Sequence, residues 1–449
     1  MPNTKIVKVG LFVDYLGFLQ ATENLPLVDY YYLTAEDTRD QEWARKFLPA
    51  EKIITYKIGG KYGYFHNYFT DRIIRDSNLT EVLKQNEISV LVPGFDCSRF
   101  VFGWAAKNNL KIASIDHRFQ HNFENKIYFD KFLQANGFPK PKSFITQLPL
   151  TSSLPFSDRF VLQASASRGG TGTFFLESAE QIDNLIKTKV LETKTDYLLR
   201  EFISGKTYGI SVFVGQDFLA LSAARQQCFF DLDQRHNKVF RGVQWVGNSF
   251  SDNLKEKVNE NFSRIGKLLL GKGYFGFANF DFMIDEKESL YFIEFNPRLS
   301  SATPQIFLNP ELLSGLPLGQ IFLEKFLETK TFIPESNFYP YPETDFEGSL
   351  LDVVVKSPDK KKHLIEKEYT NGIYSLKQNS FVFENPDIRK IKGDNFLKKI
   401  IFYSDVRRGE SYGDRAVVFH LFSTYRLFRQ DGTLNEEGEK ALAAFKYKS

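Results

Sequence analysis

The chain carries two apolar runs on either side of a polar turn: Phe280-Asp281-Phe282-Met283-Ile284, then Asp285-Glu286-Lys287-Glu288-Ser289, then Leu290-Tyr291-Phe292-Ile293-Glu294-Phe295-Asn296-Pro297-Arg298. This pattern predicts a β-hairpin with a solvated tip. We predict that Asp281 lies opposite Glu294 across the hairpin, with the two side chains on one face and roughly 5 Å apart. Side chains alternate along a strand, and Pro297 favours extended backbone in the residue before it. We therefore expect Asn296 and Arg298 on the same face.

Two carboxylates directly opposite each other destabilise a hairpin unless a positive charge neutralises them. A magnesium ion that carries nucleotide phosphates would supply that charge, and carboxylate and amide oxygens are suitably hard ligands for it. The alternative is a hairpin whose polar face meets water, with Arg298 paired to the acids. A register error of one residue would also scatter the four side chains.

Composition argues against several classes of protein. The 449 residues indicate two or three packed units, and 42% hydrophobic with 25% charged residues is typical of a soluble globular chain. The formal net charge of +3 gives no support to a nucleic-acid or membrane role. Cys97 and Cys228 offer no metal spacing and suit a reducing compartment, and the charged N-terminus does not resemble a signal peptide. We expect a cytoplasmic protein.

Strand-like and helical segments alternate from residue 6 to about residue 118, which predicts a small open parallel sheet. No G-x-G-x-x-G follows the first strand, so we expect no dinucleotide site there. Pro334, Pro340 and Pro342 lie in a poorly periodic stretch that is typical of a linker. Short strand candidates and a terminal helix from Glu436 to Phe445 follow it and indicate an α+β unit.

A glycine-rich loop joins two further apolar runs, in the stretch Phe160-Val161-Leu162-Gln163-Ala164-Ser165-Ala166-Ser167-Arg168-Gly169-Gly170-Thr171-Gly172-Thr173-Phe174-Phe175-Leu176. Glycines allow backbone N–H groups to approach an anion closely, and successive N–H groups form an anion-binding nest. Four side chains of the loop add donors for phosphate oxygens, namely Ser165, Ser167, Arg168 and Thr171. The loop lacks the Gly-Lys-Ser/Thr of a P-loop. An ordinary flexible hairpin loop is the alternative.

A third stretch contains two strand-like runs joined by a short polar segment with glycine: Tyr197-Leu198-Leu199-Arg200-Glu201-Phe202-Ile203-Ser204-Gly205-Lys206-Thr207-Tyr208-Gly209-Ile210-Ser211-Val212-Phe213-Val214. A purine ring could lie against such a segment and use its backbone groups and apolar neighbours. Without the other motifs, the stretch predicts a simple hairpin.

These three motifs, in this order, resemble the ATP-grasp superfamily of carboxylate–amine and carboxylate–thiol ligases, in the style of the biotin-carboxylase-like branch. The resemblance covers about residues 85–330. It implies an α/β and α+β protein with an ATP-grasp fold. The implied units are an N-terminal βα (pre-ATP-grasp) domain at 1–118, the ATP-grasp domain at 119–330, and a C-terminal α+β domain at 331–449.

The resemblance also implies roles for individual residues. Lys126, at the start of a helix, would contact ATP phosphate, and Arg298 would steady an acyl-phosphate intermediate as the catalytic arginine. Three side chains would hold magnesium, namely Asp281, Glu294 and Asn296. The mobile phosphate-covering loop would comprise Ser165, Arg168, Gly169, Gly170, Thr171 and Gly172. The adenine hinge would comprise Glu201, Phe202 and Ile203.

Two positions depart from the family pattern. Gln163 occupies the place of a strand lysine that reaches the α-phosphate, and a neutral amide gives up charge-assisted strength there. Arg168 could restore the positive charge from within the loop. Thr207 stands where the family tends to place a glutamate for the ribose hydroxyls.

The implied reaction is an ATP- and Mg²⁺-dependent ligation, with Mn²⁺ as an alternative ion. A carboxylate of a small molecule, such as an amino acid or short peptide, is activated as an acyl phosphate and coupled to an amine, with release of ADP and phosphate. A thiol on a carrier arm is an alternative acceptor, and a non-catalytic ATP-binding sensor or scaffold is an alternative function. A homodimer is compatible with the resemblance. The chain has no Met-Lys-Met biotinylation site.

A polar segment between the hinge and the hairpin is the candidate acceptor region. Arg225 and Arg241 could hold a substrate carboxylate, because arginine forks suit that group. Ser300 and Ser301 follow Arg298 and could line the same pocket. The alternative is a surface β-hairpin with ordinary charges.

Overall fold

The computed structural model describes residues 6–12, 25, 27–59, 69–93, 97–150, 155–156, 158–167, 170, 172–231, 236–329, 332–355, 361–377, 380–391 and 398–445.

The N-terminal part is a parallel sheet of five strands in the order β3-β2-β1-β4-β5. The strands are β1 (Val7–Phe12), β2 (Val28–Ala35), β3 (Ile53–Tyr56), β4 (Val90–Val92) and β5 (Lys111–Ile112). The helices between them are α1 (Arg39–Ala44), α2 (Phe69–Asp76), α3 (Leu79–Gln85) and α4 (Arg99–Lys107), with a 3₁₀ turn at Ala50–Lys52. The open parallel sheet predicted from the alternating pattern is confirmed.

Two helices, α5 (His117–Phe123) and α6 (Lys126–Ala135), lead into a small antiparallel sheet of four strands in the order β6-β9-β7-β8. Its strands are β6 (Ser143–Gln147), β7 (Phe160–Ala164), β8 (Thr173–Leu176) and β9 (Asp196–Glu201), and α7 (Ala179–Lys187) covers one face. The apolar core of that face includes Phe160, Leu162, Phe174, Leu176, Ile182 and Leu185. Because side chains alternate, Gln163 and Arg200 lie on the opposite face.

A large sheet of twelve strands forms the rest, with ten of them in the continuous order β15-β14-β10-β12-β13-β17-β23-β21-β19-β20. Its first strands are β10 (Gly205–Val214), β11 (Leu219–Leu221), β12 (Arg225–Phe229), β13 (Phe240–Trp245), β14 (Gly276–Asp285) and β15 (Leu290–Asn296). The later strands are β16 (Phe338–Tyr339), β17 (Ser349–Val354), β19 (Gly372–Lys377), β20 (Ser380–Asn385), β21 (Lys399–Tyr403) and β23 (Val417–Ser423). A separate pair is formed by β18 (His363–Leu364) and β22 (Ser411–Tyr412). The sheet runs across residue 330, and the domain boundary placed there stays a prediction.

The remaining helices are α8 (Asp252–Gly271), α9 (Thr303–Leu308), α10 (Leu318–Leu327) and α11 (Glu436–Ala444), with 3₁₀ turns at Pro310–Leu313 and Ile388–Ile391. Ser251 caps α8 by accepting a hydrogen bond from the Leu254 N–H. None of the helices within the described residues is both long and apolar enough to cross a membrane.

The β14–β15 hairpin is held by an aromatic core on the face turned toward α8. Phe280, Phe282, Phe292 and Phe295 are fully buried, and the rings of Phe280 and Phe295 stack with centroids 4.4 Å apart. Phe262 of α8 packs edge-on against the first three of these rings. The opposite face of the hairpin is therefore left for polar side chains.

The register of the hairpin contains a β-bulge. Asp281 pairs with Glu294, as predicted, but Phe282 pairs with Phe292, so Ile293 is the extra residue. A regular ladder would pair Asp281 with Ile293 and would turn Glu294 to the other face. The bulge thus places both carboxylates on one face while Phe292 and Phe295 both stay in the core.

The N-terminal sheet packs against the C-terminal strands through polar contacts of α1. The Arg39 guanidinium donates hydrogen bonds to the carbonyls of Val406 and Tyr369. The Tyr403 hydroxyl donates to Asp40 at 3.1 Å, and the Trp43 indole donates to the Pro386 carbonyl at 2.8 Å. These groups are buried, so the contact holds the two parts in a fixed arrangement.

Two buried groups near this contact, Asp405 and His420, predict that the stability of the protein falls as pH rises. Burial, followed by the charge of Asp40, raises the pKa of Asp405 to about 7. Burial alone would lower the pKa of His420, but the charge and hydrogen bond of Asp352 and the charge of Asp405 raise it. Both groups bind protons more tightly when folded, so their stabilisation is present at low pH and is lost as pH rises through the folded pKa values.

Urea unfolding between pH 5 and pH 8 should show this loss, and Asp405→Asn should remove about 2 kcal/mol of it. Glu36→Gln, which changes an exposed carboxylate, is the control and should keep the wild-type profile. Identical pH profiles for wild type and Asp405→Asn would contradict the prediction.

Candidate active site

The polar face of the hairpin gathers oxygen ligands. Asp281 on β14 lies opposite Glu294 on β15, and Asn296 lies opposite Asn279 two pairs further along. Asp281, Glu294 and Asn296 are partly exposed, whereas Asn279 is buried. The carboxylates therefore reach solvent on this face, with two amides beside them, and the space between this face and the glycine-rich loop is called the cleft.

The electrostatics of this face favour a bound cation. Burial, and then the charge of Glu294, raise the pKa of Asp281 to about 7. A divalent cation between the two carboxylates would reverse this shift. The described residues contain no group of three or more His, Cys, Asp or Glu side chains arranged to hold a metal. Two carboxylates and an amide oxygen suit Mg²⁺, which keeps waters and substrate phosphates as its other ligands.

Lys126 connects this face to the glycine-rich loop. It is the first residue of α6, where the Asn125 side chain caps the helix by accepting from the backbone N–H groups of residues 127 and 128. The Lys126 side chain is only 2% exposed, and its Nζ lies 3.1 Å from Glu294 Oε1. The same Nζ donates to the Ser167 carbonyl at 2.9 Å. A buried ammonium thus joins a candidate metal ligand to the loop.

Arg298 lies at the end of the same face. Its Nε donates to Glu124 Oε1 at 2.7 Å, and its Nη2 donates to Asn296 Oδ1 at 3.1 Å. The Asn279 side chain donates to the Arg298 carbonyl, which fixes the backbone after the strand. The guanidinium is about one-fifth exposed and can therefore reach a ligand in the cleft.

The glycine-rich loop joins β7 and β8, as the sequence predicts. The Ser165 carbonyl accepts from the Lys126 N–H at 2.8 Å, and the Gly172 carbonyl accepts from the Ala164 N–H at 2.8 Å. Gly170 has φ +79°, and a Cβ there would lie 2.5 Å from the Lys238 carbonyl oxygen, so this position requires glycine. The remaining predicted loop residues, namely Arg168, Gly169 and Thr171, lie outside the described residues.

Gln163 has a fixed orientation on β7. Its Oε1 accepts from Arg200 Nη1 at 2.8 Å, and its Nε2 donates to Thr173 Oγ1 at 3.2 Å. The amide N–H groups therefore face the loop side of the cleft. Arg200, on the neighbouring strand β9, places a full positive charge directly behind this amide.

The predicted hinge is a crossing between sheets, because β9 belongs to the small sheet and β10 to the large one. The Glu201 side chain accepts from the Lys142 N–H at 2.6 Å, which leaves Phe202 and Ile203 in the crossing itself. A cavity of about 120 Å³ borders the crossing and is lined by Arg159, Phe160, Phe175, Leu176, Glu177, Gln181, Phe202 and His236. Thr207 follows on β10 and pairs with Met283.

Residues 123–302 match the family model described as an ATP-grasp domain. They form an ATP-grasp domain. The prediction of this fold is confirmed, with the parallel N-terminal sheet before the domain and the large sheet continuing after it.

Solved structures with the same fold agree with this assignment. The biotin carboxylase domain of Hydrogenobacter thermophilus 2-oxoglutarate carboxylase, a dimer in complex with MgADP, ADP and bicarbonate, has a TM-score of 0.61 and 13% identity, over 93% of this chain and 86% of that chain. Biotin carboxylase of Campylobacter jejuni, in an ATP complex, has a TM-score of 0.60 and 13% identity, over 95% and 89%. N5-carboxyaminoimidazole synthase of Aspergillus clavatus, with ADP and 5-aminoimidazole ribonucleotide, has a TM-score of 0.55 and 12% identity, over 98% of each chain.

The predicted acceptor arginines of the ATP-grasp domain lie in different surroundings. Arg225 is buried, donates to Ser211 Oγ at 3.1 Å and Asn279 Oδ1 at 3.2 Å, and stands over the Trp245 ring. Burial lowers its pKa to about 10, against the charge of Asp281. Arg225 is therefore a buried residue beside the carboxylates, and both of its terminal nitrogens form hydrogen bonds with protein side chains.

Arg241 packs over the Phe230 ring at 4.7 Å, near Glu439 of α11, and its Nε makes no hydrogen bond to the described residues. The structure therefore does not bring it together with Arg225. The Ser300 N–H donates to the Thr303 hydroxyl, and the Ser300 hydroxyl forms a hydrogen bond with the same group. Thr303 is the first residue of α9, and Ser301 is exposed.

Four further groups of the site were not predicted from the sequence. Asn279 lies two residues before Asp281 on β14, so strand alternation could have revealed it. Glu124, directly before the Asn125 cap, pairs with Arg298. Arg200 and the Ser167 carbonyl form hydrogen bonds with residues of other strands and helices, so no local sequence pattern indicates them.

Proposed function

We propose that this protein is an ATP-dependent ligase that activates a small-molecule carboxylate as an acyl phosphate and joins it to an amine. The observation that carries the proposal is the pairing of Asp281 with Glu294 on one face, with Asn296 and Arg298 beside them. The ATP-grasp domain match and the nucleotide complexes of its structural neighbours support ATP with Mg²⁺ as the cofactor.

Asp281, Glu294 and Asn296 would hold a magnesium ion, which would supply positive charge to offset the negative charge that develops on the phosphates. Lys126 and the N–H groups of Gln163 would hold the phosphates beneath the glycine-rich loop. Closure of that loop would exclude water from the activated carboxylate.

Arg298 would bind the substrate carboxylate and then the oxygens of the acyl phosphate, because a guanidinium fork matches these groups. The attacking amine must lose a proton after it forms the new bond, and phosphate leaves from the same carbon. The protein contributes mainly by positioning the reactants. The crossing at Phe202 and Ile203 would hold the base through backbone groups.

Amino acids and short peptides are the preferred carboxylates, and bicarbonate belongs in the same test because one structural neighbour is solved with it. A thiol acceptor would use the same activation step. A homodimer is proposed by analogy with the neighbour that is described as a dimer.

The experiment is a screen of ADP release by the full chain with MgATP. Pools of amino acids, dipeptides or bicarbonate are each combined with pools of amines or thiols, and reactions without a carboxylate serve as controls. We expect one carboxylate–amine combination to stimulate ADP release far above the rate with ATP alone. ATP binding without stimulated turnover in every pool would refute the ligase and favour a sensor.

A further inference from the structure

Among the described residues near the site, Arg200 is the most deeply buried cation, with 1% of its surface exposed. It belongs to the small sheet, yet its contacts reach three other elements. Nη1 donates to Gln163 Oε1 at 2.8 Å and to the Ile293 carbonyl at 3.0 Å, and Nη2 donates to Asp130 Oδ1 at 3.3 Å. One guanidinium thus ties β9 to β7, to α6 and to β15 of the large sheet.

The contact with Ile293 matters because Ile293 is the extra residue of the β-bulge. A bulge leaves backbone groups outside the ladder, and a buried carbonyl without a donor is unfavourable. Arg200 supplies that donor. The bulge in turn determines that Glu294, and not Ile293, lies opposite Asp281.

The contact with Gln163 fixes which end of the amide faces the cleft. A guanidinium has only hydrogen-bond donors, so it can bond to the oxygen of the amide but not to its NH₂ group. The N–H groups of Gln163 are therefore directed toward Thr173 and the glycine-rich loop. That is the orientation in which a neutral amide can donate to a phosphate oxygen.

The charge balance around Arg200 distinguishes it from an ordinary core ion pair. Asp130 is its only direct carboxylate partner within the described residues, and Lys140 Nζ shares that carboxylate at 3.0 Å. Glu294 is the other carboxylate whose charge acts on Arg200. Asp130 is thus shared by two cations and balances the positive charge of Arg200 only in part.

We propose that Arg200 is the positioning residue of the metal–phosphate site: it holds the bulge that aims Glu294 at the metal, and it orients Gln163 toward the phosphates. This inference rests on the proposed function only for the identity of the ligand as a metal–nucleotide complex. It assigns no contact between Arg200 and the substrates.

The test uses Arg200→Met and Arg200→Lys in the full chain, with Arg39→Met as a matched control. Arg39 is also a buried arginine that caps two backbone carbonyls, but at the contact of α1 with the C-terminal strands. Mn²⁺ binding in the presence of ADP is followed by electron paramagnetic resonance, and ADP binding without metal is measured by calorimetry. Thermal unfolding checks that each variant is folded.

We expect Arg200→Met to weaken Mn²⁺ binding about 10- to 100-fold, as for groups that orient metal ligands. Metal-free ADP binding should weaken less than Mn²⁺ binding, and Arg39→Met should match wild type in both. If Arg200→Met does not fold, Arg200→Lys is decisive, because it keeps the charge but cannot reach the amide and the bulge carbonyl together. Wild-type Mn²⁺ affinity in a folded Arg200 variant would overturn the proposal, as would equal losses in Arg39→Met.

The outcomes separate this inference from the ligase proposal. A wild-type chain that binds Mn²⁺ with ADP but turns over no substrate pair would refute the ligase and leave the role of Arg200 testable. A wild-type chain that turns over substrates and loses no Mn²⁺ affinity on Arg200→Met would refute only the role of Arg200.

Discussion

Replacing Glu294 by glutamine should lower magnesium-dependent ADP release about 100- to 1,000-fold, which corresponds to about 3–4 kcal/mol in the barrier. The side chain keeps its size, but the amide cannot supply the negative charge that pairs with the metal. It also removes the charged partner of Lys126, whose Nζ lies 3.1 Å away. Initial rates at several Mg²⁺ concentrations measure the effect, and excess Mg²⁺ should restore only part of the rate.

Glu286→Gln is the matched control for this change. Glu286 is an exposed carboxylate in the turn of the same hairpin, so its replacement alters net charge equally without touching the polar face. We expect it to retain wild-type rates. Equal losses in the two variants, or full activity of Glu294→Gln, would contradict the assignment of Glu294 to the metal.

Replacing Phe280 by alanine should destabilise the protein by about 3–5 kcal/mol, the usual cost of deleting a fully buried phenyl ring. The Phe280 ring stacks on Phe295 with centroids 4.4 Å apart and contacts Phe262 and Phe292. The cavity would lie directly beneath Asp281. We therefore expect Mg²⁺-dependent binding of ADP to weaken as well, measured beside urea unfolding.

Phe383→Ala provides the comparison, since Phe383 is 40% exposed on the edge strand β20. Its removal should change the free energy of unfolding by less than about 1 kcal/mol, as for most surface substitutions. If Phe280→Ala were no more destabilising than Phe383→Ala, the packing beneath the hairpin would not have the role assigned to it.

The elements with a clear period could be predicted from the sequence. The hairpin, the helix at 251–271 and the strand at 53–56 follow directly from apolar spacing and capping residues. The strand β2 was not predicted, because its tyrosine-rich sequence lacks the bounded apolar run of a buried parallel strand. The helix α1 is short, and its apolar residue Trp43 packs on a distant part of the chain.

The site could be predicted only in part. The pairing of Asp281 with Glu294 was right, but it depends on a bulge that regular alternation does not give. The bulge is visible in the spacing of the core residues of β15. Leu290 and Phe292 are two residues apart, whereas Phe292 and Phe295 are three residues apart. Arg225 was a candidate to hold a substrate carboxylate, and the sequence could not show that other strands bring Ser211 and Asn279 to its guanidinium.

The unbroken order of strands from β15 to β20 limits how this protein can be divided. Strand β17 forms hydrogen bonds directly with β13, and Gln305 donates to the carbonyls of Ser349 and Ser423. A fragment cut after residue 302 would expose the edge of β13 and invite aggregation. The ATP-grasp domain and the C-terminal strands are therefore physically inseparable, and a chimera with a relative must carry both.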